Sequence, residues 1–146
     1  MGMIINNRTL SAAKIMALKS PVILCVHRED FIKAIADANI QSLSLNLPLA
    51  KAFSGKSERE IVMALTETVI SLLPKGEAVY LKDYEMLFDP RYKLDVLRMF
   101  CEISRYNKLI VKWRHGFDGS SLIYAEPGYE DYSKYRISEY DVACVI

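Results

Sequence analysis

The stretch Ala50-Lys51-Ala52-Phe53-Ser54-Gly55-Lys56-Ser57 has the spacing of a relaxed phosphate-binding loop, with alanine where the first glycine normally stands. Such a loop holds polyphosphate by turning backbone N–H groups inward, reaches the outer phosphates with a lysine and offers a hydroxyl to magnesium. Gly55, Lys56 and Ser57 are therefore the candidate cofactor-binding residues, for ATP and magnesium. Against that use, Ala50 must supply a turn usually left to glycine, Pro48 stiffens the entry and Phe53 is bulky. Ser57 also has a sufficient task as cap of the following helix, with Glu60 at the reciprocal position.

A second group follows the apolar run Ala78-Val79-Tyr80-Leu81, where Lys82, Asp83 and Glu85 arrive together. Asp83 and Glu85 are the candidate catalytic carboxylates; the alternative for Asp83 is a solvated strand-end carboxylate. Arg105 could act as an arginine finger in an oligomer, or else cap its own helix or pair with Glu102. Lys82, Lys112 and Arg114 could meet nucleic acid at the end of a sheet. Trp113 could stack on a base, but a lone tryptophan leaving a strand favours packing. Tyr129, Tyr132 and Tyr135 with Lys134 and Arg136 resemble a single-strand binding stripe, diluted by Glu126, Glu130, Asp131 and Glu139; a partner protein or the domain's own surface is the favoured recipient.

The elements that must position these groups alternate between strand and helix. A short helix over Leu10 to Lys19 meets Ser20-Pro21. Val22 to Val26 is a continuous apolar run, as in a strand buried on both faces. Asp30 to Ala38 has helical periodicity, and Leu43, Leu45 and Leu47 alternate with Ser44 and Asn46 as a strand would. A capped helix from Ser57 to about Leu73 precedes the strand Ala78 to Leu81; the helix Leu94 to Tyr106 precedes the strand Leu109 to Trp113. A hairpin-like stretch through Gly116 to Tyr124 and a final strand Val142 to Ile146 complete the pattern. Strands separated by helices predict a mainly parallel sheet, with sites beyond the carboxyl ends of the strands.

The 146 residues suffice for one domain, 1–146, with a substantial core. A net charge of +1 supplies no global field toward nucleic acid or membrane. Every wide window carries charges, which excludes a membrane span, and the opening residues lack the apolar segment of a secretory signal. Cys25, Cys101 and Cys144 lie far apart in apolar settings, which reads as reduced thiols of a cytoplasmic protein; no spacing suits a metal site. No Ser-His-Asp or Cys-His arrangement appears.

Several motifs, in order, resemble the BrxF family, small P-loop proteins of type 3 BREX bacteriophage-defence systems. They are Tyr84-Glu85-Met86-Leu87-Phe88-Asp89-Pro90, Leu94-Asp95-Val96-Leu97-Arg98, Ile103-Ser104-Arg105-Tyr106-Asn107 with Leu109 to Trp113, and Tyr124-Ala125-Glu126-Pro127-Gly128-Tyr129-Glu130-Asp131-Tyr132. They cover about the second half of the chain; the first half matches in rhythm alone. The resemblance implies an α/β, three-layer fold with a mainly parallel five-stranded sheet of the P-loop NTPase (AAA-like) type. It makes Ala78 to Phe88 the Walker B strand and Leu109 to Trp113 the sensor-type strand, with Lys82 standing where the family's acid belongs. Its phosphate loop would follow Val22 to Val26, where this chain reads His27-Arg28-Glu29-Asp30. That segment has no glycine, lysine or following hydroxyl, and each of its two acids would oppose a phosphate charge about 4 Å away by roughly 4 kcal/mol at a dielectric of ~20.

The expectation is therefore a non-catalytic, P-loop-derived assembly or regulatory component of a BREX-type antiviral system. It would hold no cofactor, stay off membranes, meet other defence proteins and reach nucleic acid through them, and it could form a homo-oligomer. One alternative is an ATPase using the Ala50-Ser57 loop and Asp83. The other is a nucleic-acid-binding accessory protein using Lys82, Lys112 and Arg114.

Overall fold

The computed structural model describes residues 1–26, 33, 34, 37 and 40–146. Its framework is a six-stranded sheet in which every neighbouring pair is parallel. The strands are β1 (Met3–Ile5), β2 (Val22–Leu24), β3 (Gln41–Ser44), β4 (Val79–Lys82), β5 (Leu109–Lys112) and, after an intervening sheet, β9 (Ala143–Val145). Their spatial order is β1-β9-β2-β5-β4-β3. The intervening sheet is antiparallel and consists of β6 (Gly116–Phe117), β7 (Ser121–Tyr124) and β8 (Ser133–Arg136).

Among the described residues the helices that flank the sheet include α1 (Ala12–Ala17), α2 (Asn46–Phe53), α3 (Glu58–Leu72) and α4 (Val96–Ile103). Two apolar clusters occupy the two sides of the sheet, as the period-2 geometry of strands requires. Ile15 of α1 packs with Val22, Leu24, Tyr80, Ile110 and Val145 on one side. On the other, Leu49, Leu65, Val69, Leu97 and Phe100 of α2, α3 and α4 meet Ile23, Leu81, Val111 and Cys144. Fully burying each such side chain contributes about 1.5–3 kcal/mol relative to exposure.

The structure departs from the sequence expectations in several places, among them the unforeseen strand Ser133–Arg136. The sheet has six strands where five were expected, because Met3–Ile5 adds itself beside β9. That strand is three residues long and half exposed, so it lacks the apolar run that marks the others. The strand expected through Leu47 ends at Ser44. The Leu45 and Asn46 amides still donate to the carbonyls of Lys82 and Asp83, but Leu45 has turned into helical geometry (φ −84°, ψ −34°). Leu45 and Leu49 are then buried four residues apart, while Leu47 is 65% exposed. Pro48 falls in the first turn of α2, where a missing N–H costs nothing. Finally, α1 and α4 are shorter than their apolar periodicity suggested, because turns close them at Leu18 and Ser104.

The capped helix is as expected. The Ser57 side chain accepts the Glu60 amide and Glu60 reaches back to the Ser57 amide, a complete capping box at the start of α3. The helix expected over Asp30 to Ala38, and the segment His27 to Asp30, fall largely outside the described residues.

Candidate functional site

In a parallel sheet the carboxyl ends of all strands share one edge, and ligand crevices form where the connections leave neighbouring strands in opposite directions. Here the connection from β2 leads toward β3, across β5 and β4, whereas that from β5 leads back across β2 to β9. The switch point is therefore the carboxyl end of β2 and β5. At this edge Asp83, Tyr84, Glu85, Lys112, Arg114 and His115 line a cavity of about 110 Å³. The structure thus gathers Asp83, Glu85, Lys112 and Arg114, singled out from sequence for different reasons, around one small volume.

Lys82 belongs to the same edge. Leu81 pairs with Val111 and Ser44 with Lys82, so Lys82 and Lys112 stand at equivalent positions on adjacent strands, on the face of Tyr80 and Ile110. Like charges so placed repel.

The two carboxylates are held by neutral donors. Asp83 has a left-handed backbone (φ +50°), a conformation that costs a non-glycine residue on the order of 1–2 kcal/mol. Its carbonyl accepts the Asn46 amide at 2.7 Å and its carboxylate accepts the Ser44 hydroxyl at 2.7 Å. Glu85 accepts the Asn46 side-chain amide at 2.7 Å, and the Asn46 side-chain oxygen accepts the Met86 amide at 3.0 Å. One asparagine at the start of α2 therefore fixes the whole turn after β4. The chain turns there because the β3–β4 ladder ends and the last two bonds across it go to Lys82 and Asp83.

Behind the carboxylates lies an aromatic wall. Tyr84 is buried and its hydroxyl donates to the Lys112 carbonyl at 2.6 Å, stitching the turn after β4 to β5. Burial, reinforced by Glu85, pushes its phenol well above the usual range. The His115 ring meets Trp113 edge-on at 4.9 Å and Tyr124 at 4.6 Å. Burial lowers its pKa, and Glu85 opposes that shift. Phe88 and Tyr124 stack at 3.7 Å and 5°. Trp113 is 1% exposed and its indole N–H donates to the Gly116 carbonyl at 2.9 Å, so it packs, as its solitary position at a strand end suggested.

The remaining sequence candidates lie elsewhere. Ala50 to Phe53 are the last residues of α2, so the segment joins helix to helix and not strand to helix. Gly55 makes the turn at φ +76°. The Lys56 amide donates to the Phe53 carbonyl at 3.0 Å, and the Ser57 hydroxyl is engaged with Glu60. Arg105 is exposed just before β5, at the amino edge of the sheet, the opposite edge from Asp83. Its amide closes a turn onto Glu102, and no ion pair between their side chains occurs. Among the described residues no group of three or more His, Cys, Asp and Glu side chains could hold a metal ion.

Sequence reasoning gave no role to Ser44, Asn46, Tyr84 or His115, although the last three fall in the strand-end stretches Asn46 to Ser57, Lys82 to Asp89 and Lys112 to Phe117 where it places a site. Alternation of polar and apolar residues makes Asn46 look like part of a strand; an asparagine where a strand gives way to a helix was the signal available. His115 carries no local signal, because its wall is assembled from three segments of chain.

The class defined by this fold and edge is an α/β domain with a fully parallel central sheet and a mixed-charge crevice at its carboxyl end. No family model, curated protein or solved structure matches the chain. Among the described residues no helix is long and apolar enough to cross a membrane.

Proposed function

We propose that this chain is a P-loop-derived, non-catalytic assembly or regulatory subunit of a BREX-type bacterial antiviral system, working in the cytoplasm with other defence proteins. The observation that carries the reading is the engagement of the Ala50 to Ser57 segment with itself. Its first half is helical, so its amides follow the helix instead of converging on a common point, and the hydroxyl that would meet magnesium caps α3. A phosphate site needs several inward-facing amides at once.

The carboxyl edge supports the same reading. Lys82 occupies the strand-end position at which a metal-ordering acid is required, and a cation there repels magnesium. Asp83 and Glu85 are tied to Ser44 and Asn46. The P-loop ancestry is supported by the six-stranded parallel order, with its switch point beside β2, together with the motifs from Tyr84 to Tyr132.

The test is thermal unfolding with and without ATP and magnesium. A ligand that binds only the folded state raises the melting temperature; the reading requires no shift at millimolar nucleotide. A rise that Lys56→Ala abolishes would overturn the reading and place nucleotide binding at that loop, with phosphate release then testing the ATPase alternative. Co-expression with the other proteins of a BREX-type system tests the assembly role: failure to co-purify with any of them removes it.

A further inference from the structure

A second cleft lies at the amino edge of the sheet, remote from the crevice just described. It has a volume of about 670 Å³ and spans the amino ends of three adjacent strands. Leu18, Lys19 and Ser20 precede β2, Arg105 to Lys108 precede β5, and Asp141 precedes β9. Three cations, Lys19, Arg105 and Lys108, therefore face one carboxylate, and that carboxylate accepts a bond from the Ser20 hydroxyl at 3.1 Å. On a chain whose net charge is +1, this is a concentrated positive site.

Cations near helix ends often serve the helix carbonyls. Here that need is largely met by other groups. The last carbonyls of α4 accept the amides of Ser104, Arg105, Tyr106 and Asn107 and the Ser104 hydroxyl. The Leu18 carbonyl, after α1, accepts the Lys108 amine, which leaves that ammonium two further donors. Among the described residues the side chains of Lys19 and Arg105 are exposed and make no ion pair. Tyr106, on the rim of the cleft, is 65% exposed. Cations lining a groove beside an exposed aromatic ring form the combination that takes a phosphodiester chain and stacks one of its bases.

We infer that the amino-edge cleft binds single-stranded nucleic acid, with Lys19, Arg105 and Lys108 on phosphates and Tyr106 stacked on a base. The inference does not depend on the proposed function, since it uses the opposite edge of the sheet.

Burial lowers Lys108 to about 8, so an anion beside it competes with the loss of its proton. Burial pushes the Cys101 thiol up, and Lys19, Arg105 and Asp141 are the other charged groups lining the cleft. Affinity should therefore fall between about pH 7 and 9 as Lys108 loses its charge.

The experiment is fluorescence anisotropy of a short labelled oligothymidylate with the full chain at low salt. Expected is binding whose log–log salt slope is about −2, for three phosphate contacts on a single strand. Arg105→Ala or Lys19→Ala should reduce that slope by about 0.7 each, and Tyr106→Ala should weaken binding roughly tenfold. Lys108→Met should flatten the pH dependence, with circular dichroism confirming the fold. No binding at low salt overturns the inference. So does binding that survives these changes but is lost in Lys112→Ala/Arg114→Ala. Equal affinity for duplex with no effect of Tyr106→Ala overturns it too, as does inorganic phosphate moving the Arg105 and Lys108 resonances while the strand does not bind.

Discussion

The Asn46 side chain holds Glu85 at 2.7 Å through its amide and takes the Met86 amide at 3.0 Å through its oxygen. The first residue of a helix after β3 thereby sets the turn after β4, so the positions of both candidate carboxylates depend on a residue far away in sequence.

Replacing Asn46 by alanine should destabilise the domain by about 0.5–1.5 kcal/mol, because the part-buried Met86 amide loses its acceptor while Glu85, at the surface, exchanges its donor for water. Asn46→Asp keeps an acceptor for the Met86 amide but sets a second carboxylate against Glu85, so its loss should come from that repulsion and shrink as salt is added. Urea unfolding with a constant slope would measure both; equal stability of Asn46→Ala and the parent would refute the arrangement.

Ser57→Ala removes one half of the capping box and should cost roughly 0.5–2 kcal/mol, whereas the neighbouring Lys56→Ala should stay within about 0.5 kcal/mol. The contrast separates a helix cap from a nucleotide loop, in which the lysine would matter once ATP is added and the hydroxyl would matter little without it. Denaturant midpoints of the two variants, measured without nucleotide, decide it.

His115 is surrounded by Tyr84, Phe88, Trp113 and Tyr124, and its pKa in the folded state is below the unfolded value near 6.5. In that window the unfolded chain binds more protons, so stability must fall as pH falls through 6.5 toward the folded pKa. His115→Phe should remove this slope and leave acid sensitivity to groups such as Asp89 and Asp118. Both are held below the usual carboxylate range, by the Arg91 side chain and by the Ser120 and Ser121 amides respectively, so their contribution is lost only at lower pH. Melting temperatures from pH 5 to 8 for parent and variant make the comparison.

Lys93 closes a short helical turn in the left-handed region at φ +47°, with its side chain exposed. Lys93→Gly should stabilise by about 0.5–1 kcal/mol, the relief of left-handed strain less the entropy glycine loses on folding. Asp83→Gly relieves similar strain but gives up the bond from Ser44, so its gain should be smaller or absent. Thermal denaturation of both variants gives the ordering.

Local pattern made much of this protein legible before any coordinates. Apolar runs at Val22–Leu24, Val79–Lys82 and Leu109–Lys112 mark buried strands, because a parallel sheet covered on both faces admits no polar alternation. Ser57 and Glu60 announce the start of a helix three residues apart. What pattern could not supply is which elements become neighbours. Leu45 and Leu47 alternate correctly for a strand, yet the chain turns at Leu45 because burying Leu45 and Leu49 on one helical face removes more apolar surface from water than extending an edge strand. Strand order then sets Asp83 beside Ser44, Glu85 beside Asn46 and Lys82 beside Lys112. The same order sends Arg105 to the far edge, where it meets Lys19 and Lys108. Residue types and their spacing are properties of the chain, but a site is made by the edges that tertiary packing brings together.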